Sequence, residues 1–296
     1  MSSNKAEALA SERIKKDSLF LETFRRVLKN PGALVGLILL GIIVLAMIYS
    51  FIFIEYDQVT VMNVMERFKT PSIKHPFGTD EFGRDILLRV LYGSRYSLAV
   101  AFGAVGFGLI GGIFLGGIAG FAGGRVEDLL MRITDVLASI PGLLLGMVIV
   151  TLLGPGVANL LLAIGFSSIP MFSRMTRAAV LTVKGNEYVE AARAIGMSPF
   201  KILFTQVLPN CTSPLIVAAT SRMASAVLSA AALSFLGFGV AMPTPEWGAM
   251  ISGSRAFLTI ASYTAFFPGL FIMAMTFACA LIGDGLRDAL DPRLKR

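Results

Sequence analysis

The side chains that could do chemistry are few, and their spacing argues against catalysis. His75 is the only histidine in the chain. It opens a polar stretch, His75-Pro-Phe-Gly-Thr-Asp-Glu-Phe-Gly-Arg-Asp85, whose acids Asp80, Glu81 and Asp85 have the oxygen chemistry of a cation site. A metal site needs about three or four converging ligands, so a glycine-punctuated loop that contacts another protein is the better reading. Gly165-Phe-Ser-Ser168 has the outline of an intramembrane serine hydrolase. Activating a serine requires a base within hydrogen-bond reach, and the one histidine sits in a different, polar segment. The chain contains neither His-Glu-x-x-His nor Gly-x-x-x-x-Gly-Lys-Ser/Thr, so it cannot supply a Walker-type ATP site of its own. Three charges lie in or beside apolar runs: Asp135, Arg222 and Asp284. Stand-alone carriers pair such charges at mid-membrane depth. Here Asp135 and Asp284 fall near the ends of their runs, while Arg222 either snorkels toward the near surface or lines a hydrated cavity. Cys211 and Cys279 read as small packing residues.

The elements that hold these residues are long and apolar. Of the 296 residues 55% are hydrophobic and 15% charged, and the mean hydropathy is +0.75. These values exclude a disordered chain, a collagen and a disulfide-stapled domain, and make a soluble enzyme a poor reading. A membrane-crossing helix needs about 20 apolar residues. Six segments qualify or nearly do: 33–54, about 97–121, 133–153, 157–173 (with Pro170), 215–238 (with Arg222) and 263–282 (with Pro268). The prediction is an all-α membrane protein with six transmembrane helices, the first retained as an anchor rather than cleaved. Six crossings put both termini on one side. That side carries 18 Lys and Arg against seven on the other, so both termini are expected in the cytoplasm. The net charge of +7 reflects these cytoplasmic segments and does not call for nucleic acid.

The divisions follow. Residues 1–32 form a cytoplasmic tail in which Phe20, Phe24, Val27 and Leu28 give an amphipathic helix suited to the membrane surface. After the first span comes an external loop, 55–96, and then a core over 97–286 that contains a long inner loop, 184–210. Residues 287–296 make a second cytoplasmic tail. The second span carries Gly108, Gly112, Gly116 and Gly120, with Gly124 just beyond, at four-residue spacing, which places a seam for close helix packing on one face. The inner loop reads Lys184-Gly-Asn-Glu-Tyr-Val-Glu-Ala-Ala-Arg-Ala-Ile-Gly196, then Met-Ser-Pro-Phe-Lys-Ile-Leu-Phe-Thr-Gln-Val-Leu-Pro209. Asn186 can cap a first short helix that ends at Gly196; Ser198 and Pro199 can open a second that stops near Pro209. Two short helices hinged by a glycine make a lever outside the bilayer.

Glu190-Ala191-Ala192, then Gly196, then Leu208-Pro209 resembles the EAA signature of permease subunits of bacterial ABC importers, with Gln206 where that pattern has an aliphatic residue. Phe77-Gly-Thr-Asp-Glu-Phe-Gly-Arg-Asp-Ile-Leu87, Pro243-Thr-Pro-Glu-Trp-Gly248 and Gly283-Asp-Gly-Leu-Arg-Asp-Ala-Leu-Asp-Pro-Arg293 are similar to the C-type subunits of the dipeptide, oligopeptide and nickel importers. The resemblance implies a type I ABC importer transmembrane domain in the bacterial inner membrane, which imports dipeptides or short peptides, or alternatively nickel chelate or glutathione. It implies a homologous B-type permease, two cytoplasmic ATPases that bind ATP and Mg, an external substrate-binding protein, and no cofactor on this chain. It also implies that Glu190, Ala191, Ala192, Gly196, Leu208 and Pro209 form the segment on which an ATPase docks. It assigns no substrate-binding residue.

Overall fold

The computed structural model describes residues 23–290. Residues 17–22 of the expected tail helix, and residues 291–296 of the C-terminal tail, lie outside them. Residues 23–29 are helical and bury Val27. Among the described residues the regular elements are all helices, and the β pairing is one isolated bridge between Thr79 and Asp85.

Helix α1 (Pro31–Phe53) starts where Asn30 accepts hydrogen bonds from the Gly32 and Ala33 N–H groups at 3.0 and 3.2 Å, with Pro31 preset for the first turn. A short α2 (Tyr56–Thr60) follows. The next helix, α3 (Ile86–Ala122), begins well before the expected residue 97. Asp85 caps it by accepting from Leu88 N at 3.0 Å. Counting charges hid this start, because Arg89 and Arg95 look out of place in a span. Both reach backbone oxygens: Arg89 donates to the Val59 carbonyl at 2.6 Å, and Arg95 donates to the carbonyls of Ser50 and Ile54.

The third expected span, 133–153, is not one helix. It is α4 (Gly124–Ser139) and α5 (Gly142–Leu153), bent by 88°. Pro141 has no N–H to continue the ladder and forces Ile140 into an extended conformation (φ −91°, ψ 124°). The fourth helix, α6 (Val157–Val183), runs past the expected residue 173. Beyond that point Arg177 pairs with Glu127 of α4. After α7 (Glu187–Ala194) and a single turn α8 (Pro199–Ile202), the chain does not stop at Pro209. It passes through a π turn (Leu203–Val207) and a 3-10 turn (Leu208–Cys211) into α9 (Thr212–Phe235). The Leu208 N–H reaches back to the Leu203 carbonyl. That wider turn accommodates Pro209, which has no N–H and crowds the previous turn. The second arm of the expected lever is therefore the root of the fifth span. A short α10 (Trp247–Ser254) and the long α11 (Tyr263–Leu290, beyond the expected 282) complete the chain. Among the described residues five helices are long and apolar enough to cross a membrane, and the bent α4–α5 pair makes a sixth crossing if counted as one.

The body is organised by α3 against α6. A Cβ at Gly108 would lie 2.7 Å from the Ser168 Cβ, and one at Gly120 3.0 Å from the Arg177 carbonyl oxygen. At Gly112 and Gly116 it would overlap Phe172 and Ser173 outright. Gly124 is not part of this seam: its φ of +54° makes it the turn into α4, with nothing near its α-hydrogens. Two buried clusters flank the pair. One gathers Val90, Leu98, Trp247 and Met275; the other gathers Leu160, Phe172, Ala226 and Leu233.

Candidate functional site

Three places combine charge or exposed apolar surface with defined geometry: a loop face (residues 55–85 and 239–262), a hinge face (184–211) and a cavity between α6, α9 and α11.

On the loop face, Asp80 and Asp85, whose oxygens could have served a cation, already have other partners. Asp80 accepts from Arg84 Nε at 2.7 Å, and its other oxygen accepts from the N–H groups of Phe82 and Arg84 at 2.9 Å each. Asp85 is the cap of α3 and meets His75 Nδ1 at 2.7 Å. His75 Nε2 meets Glu66 at 3.0 Å. Lys74 and Lys69 beside Glu66 hold its carboxyl down at about 2. Burial pushes Glu81 the other way, up. Beneath this layer, Pro243-Thr-Pro-Glu-Trp-Gly248 lies on α3. Gly93 admits the Pro245 carbonyl where a side chain would collide with it. Trp247, fully buried, donates from Nε1 to the Val90 carbonyl at 2.9 Å. Glu246 caps α10 by accepting from Gly248 N and Ala249 N at 2.9 and 2.8 Å, and Ser97 donates to it at 3.4 Å. Burial pushes its carboxyl above the ordinary value.

The hinge face is assembled differently. Asn186 precedes α7 without a side-chain cap, although its carbonyl accepts from Val189 N at 2.9 Å. Glu187 and Glu190 sit in the first turn and Arg193 in the last, matched to the helix dipole. At the far end Gly196 N donates to Arg193 O at 2.9 Å and Met197 N to Ala192 O at 3.1 Å, with φ +80° at Gly196. This is a Schellman stop, which needs a left-handed residue at that position. Only one side of α7 is anchored: Val189 and Ala192 pack with Val180, Ile202, Leu203 and Val207. Leu208 reaches Gly117 of α3, and Lys184 donates to the Gly120 carbonyl at 2.8 Å. Glu190, Ala191, Ile195, Gly196 and Pro209 are exposed. The signature residues thus divide: Ala192 and Leu208 face the body, and the others face outward.

The cavity, about 730 Å³, is lined in part by Met171, Ser221, Arg222, Ser225, Asp284 and Arg287. Arg222 Nε donates to Ser168 Oγ at 3.0 Å, and a second guanidinium nitrogen lies 3.5 Å from Ser167 Oγ. Sequence reasoning raised both the serine pair and the arginine but did not bring them together; they are 54 residues apart for the closer bond.

A model of the binding-protein-dependent transport system inner membrane component matches residues 112–296, and one of the N-terminal transmembrane domain of oligopeptide transport permease C matches residues 18–71. The chain belongs to this family. Among its relatives, a dipeptide transport system permease protein DppC of Alkalihalophilus pseudofirmus is 44% identical over 274 residues, 93% of this chain and 90% of its own. A di/tripeptide transport system permease protein DppC of Pseudomonas aeruginosa is 42% identical over 277 residues, 90% and 89% of the two chains. A glutathione transport system permease protein GsiD of Escherichia coli is 41% identical over 274 residues, 93% and 90%. A solved structure of the MetNI methionine ABC transporter in an inward-facing conformation superposes with a TM-score of 0.56 at 19% identity, over 69% of this chain and 97% of that one. The fold is therefore that of a type I ABC importer transmembrane domain, and the protein is a multi-span, non-enzymatic permease component of the inner membrane.

Proposed function

We propose that the permease carries dipeptides or short peptides inward as one half of a pore whose other half is a homologous B-type permease. Two cytoplasmic ATPases, holding ATP and Mg, supply the energy, and an external binding protein delivers the peptide. Both termini and the hinge face lie in the cytoplasm; the loop face meets the binding protein. An ATPase docks on α7, with Glu190, Ala191 and Gly196 at the contact, Ala192 seating the helix on the body, and Leu208 and Pro209 carrying its movement into α9.

The observation that supports docking is the one-sided anchoring of α7. A helix of eight residues has little stability of its own. It is held through Val189 and Ala192 while Ile195 and Phe200 remain exposed beside it. Because α7 packs on Leu203 and Val207, and the π and 3-10 turns run directly into α9, a push on α7 reaches a membrane helix through that contact. That gives a bistable element a handle biased from a distant site. Relatives named for dipeptides and di/tripeptides favour peptide cargo; the glutathione permease relative, 41% identical over the same length, makes glutathione the alternative. In the assembled transporter, Glu190→Lys and Gly196→Asp are expected to abolish peptide uptake and substrate-stimulated ATP hydrolysis while the chain still inserts. Normal uptake by both variants at normal expression would refute the docking role.

A further inference from the structure

We infer that Arg222, presented by the Ser167 and Ser168 hydroxyls, binds the carboxylate of the peptide as it passes through the cavity between α6, α9 and α11. This rests on the peptide-permease reading above and adds the residue that contacts the cargo.

Ser168 lies 11 residues from Val157, about 17 Å along α6 at 1.5 Å per residue. In a hydrocarbon layer about 30 Å thick that is near the middle. Arg222 therefore has its charged group where an ion is most costly, and it points at α6 rather than toward a helix end. The next step is the partner set. Elsewhere in the described chain, arginines facing the interior meet strong acceptors: Arg84 and Arg89 meet Asp80, Arg177 meets Glu127, and Arg95 meets two carbonyls. Arg222 meets hydroxyl oxygens only. Ser168 Oγ already donates to the Ile164 carbonyl at 2.9 Å, which turns its lone pair toward the guanidinium and fixes the direction of the side chain. A guanidinium has five N–H groups, and two serines leave most of them free. Two parallel N–H groups match a carboxylate in a bidentate geometry.

The surroundings fit the cargo. A cavity of about 730 Å³ is in the range that encloses a small organic ligand. On the α9 side its wall carries Ala218, Ser221 and Ser225, which leave room for a variable side chain. Asp284 lines the same cavity one residue beyond Gly283, which packs against Ser221. Arg222 on α9 and Asp284 on α11 line the same cavity, together with Arg287, and so offer both signs of charge to a zwitterion.

The test uses the complete transporter, with both permeases, the ATPases and the binding protein, in liposomes. Initial uptake of alanyl-alanine is compared with uptake of its C-terminal amide. The binding protein discriminates between these peptides too, so the quantity read is the change in the carboxylate-to-amide ratio when only this permease is altered. Arg222→Gln is expected to lower that ratio at least about tenfold, the worth of one charge-assisted contact. Arg222→Lys should retain most of it. Ser168→Ala should lower it in the same direction by a smaller factor, about threefold, the worth of one neutral hydrogen bond; it also provides the answer if Arg222→Gln does not assemble. An unchanged ratio in Ser168→Ala and Arg222→Gln, with both peptides slowed equally or not at all, overturns the assignment. So does recovery of an Arg222→Gln defect by neutralising an acid on the partner permease, which would make Arg222 an interface residue. Failure of the unaltered complex to take up alanyl-alanine would instead sink the peptide reading itself.

Discussion

The loop face and the hinge face are built on opposite plans. On the loop face, charge is taken inside and locked. Asp80, Arg84 and Arg89 are buried against one another, Glu246 is enclosed as a helix cap, and Trp247 fills the space beneath. On the hinge face the charges stay out, and a short helix is held by two apolar side chains on one side. Buried, mutually satisfied charges are expensive to disturb singly, because each leaves an unpaired partner behind. A surface helix with few buried contacts opens at low cost. The difference suits a machine in which one end keeps the helices in register and the other moves.

The largest expected effect breaks the rigid side. Trp247→Ala removes a fully buried indole and its bond to the Val90 carbonyl, a loss of about 3–5 kcal/mol. Phe200→Ala on the hinge face removes an exposed ring and should change stability by less than about 0.5 kcal/mol. Thermal unfolding in detergent reads both. If the Phe200 variant melted as early as the Trp247 variant, the contrast between the faces would be wrong.

An effect of intermediate size follows from Glu246. Burial raises its carboxyl above the ordinary 4.5, so the folded state favours the protonated form. Below pH 4.5 both folded and unfolded chains hold the proton, and that contribution is fully present. As the pH rises, the unfolded chain ionises first, and stability falls until the folded-state value is passed. Glu246→Gln keeps an acceptor for the helix N–H groups but cannot ionise. The melting temperature of the unaltered protein minus that of Glu246→Gln should therefore decrease from pH 4.5 toward neutrality. Glu66, held down at about 2 by its lysines, contributes with the opposite sign and at lower pH, and it is common to both proteins. A flat difference would mean that the two N–H donors outweigh burial.

These features were unequally legible in the sequence. Apolar length alone located the five long apolar helices of the described residues and the bent α4–α5 pair, because hydrocarbon tolerates little else. It misjudged their ends wherever a charge was satisfied by a distant group: Arg89 by Val59, and Arg177 by Glu127. It did not reveal the bend at Pro141, since hydropathy does not register a missing N–H. It did not register the continuity through Pro209, since a π turn absorbs the proline only when the neighbouring helices hold the backbone. Asp85 before Ile-Leu-Leu is a local cap signal for α3, which apolar length does not use. The Gly-x-x-x repeat and Gly196 were readable because glycine has a local reason at each: close approach in one case, positive φ in the other. The meeting of Arg222 with Ser168 was not, because it depends on how α9 crosses α6.

The smallest expected effect sharpens the soft side. Gly196 has φ +80°, and a Cβ there would meet no atom within 4 Å. Gly185, at the other end of α7, is equally open but has no positive φ. An alanine at each position thus separates strain from space. Gly196→Ala should weaken the stop of α7 by about 1 kcal/mol, the cost of a left-handed non-glycine residue. Gly185→Ala should be neutral within about 0.5 kcal/mol. Amide hydrogen exchange reads the strain where it acts. The Met197 N–H, bonded to the Ala192 carbonyl, should exchange about fivefold faster in Gly196→Ala and at the unaltered rate in Gly185→Ala. The Trp247 N–H on the loop face should not change in either. Faster exchange at Trp247 in Gly196→Ala would mean that the faces open together, and the hinge would then not be a separate element.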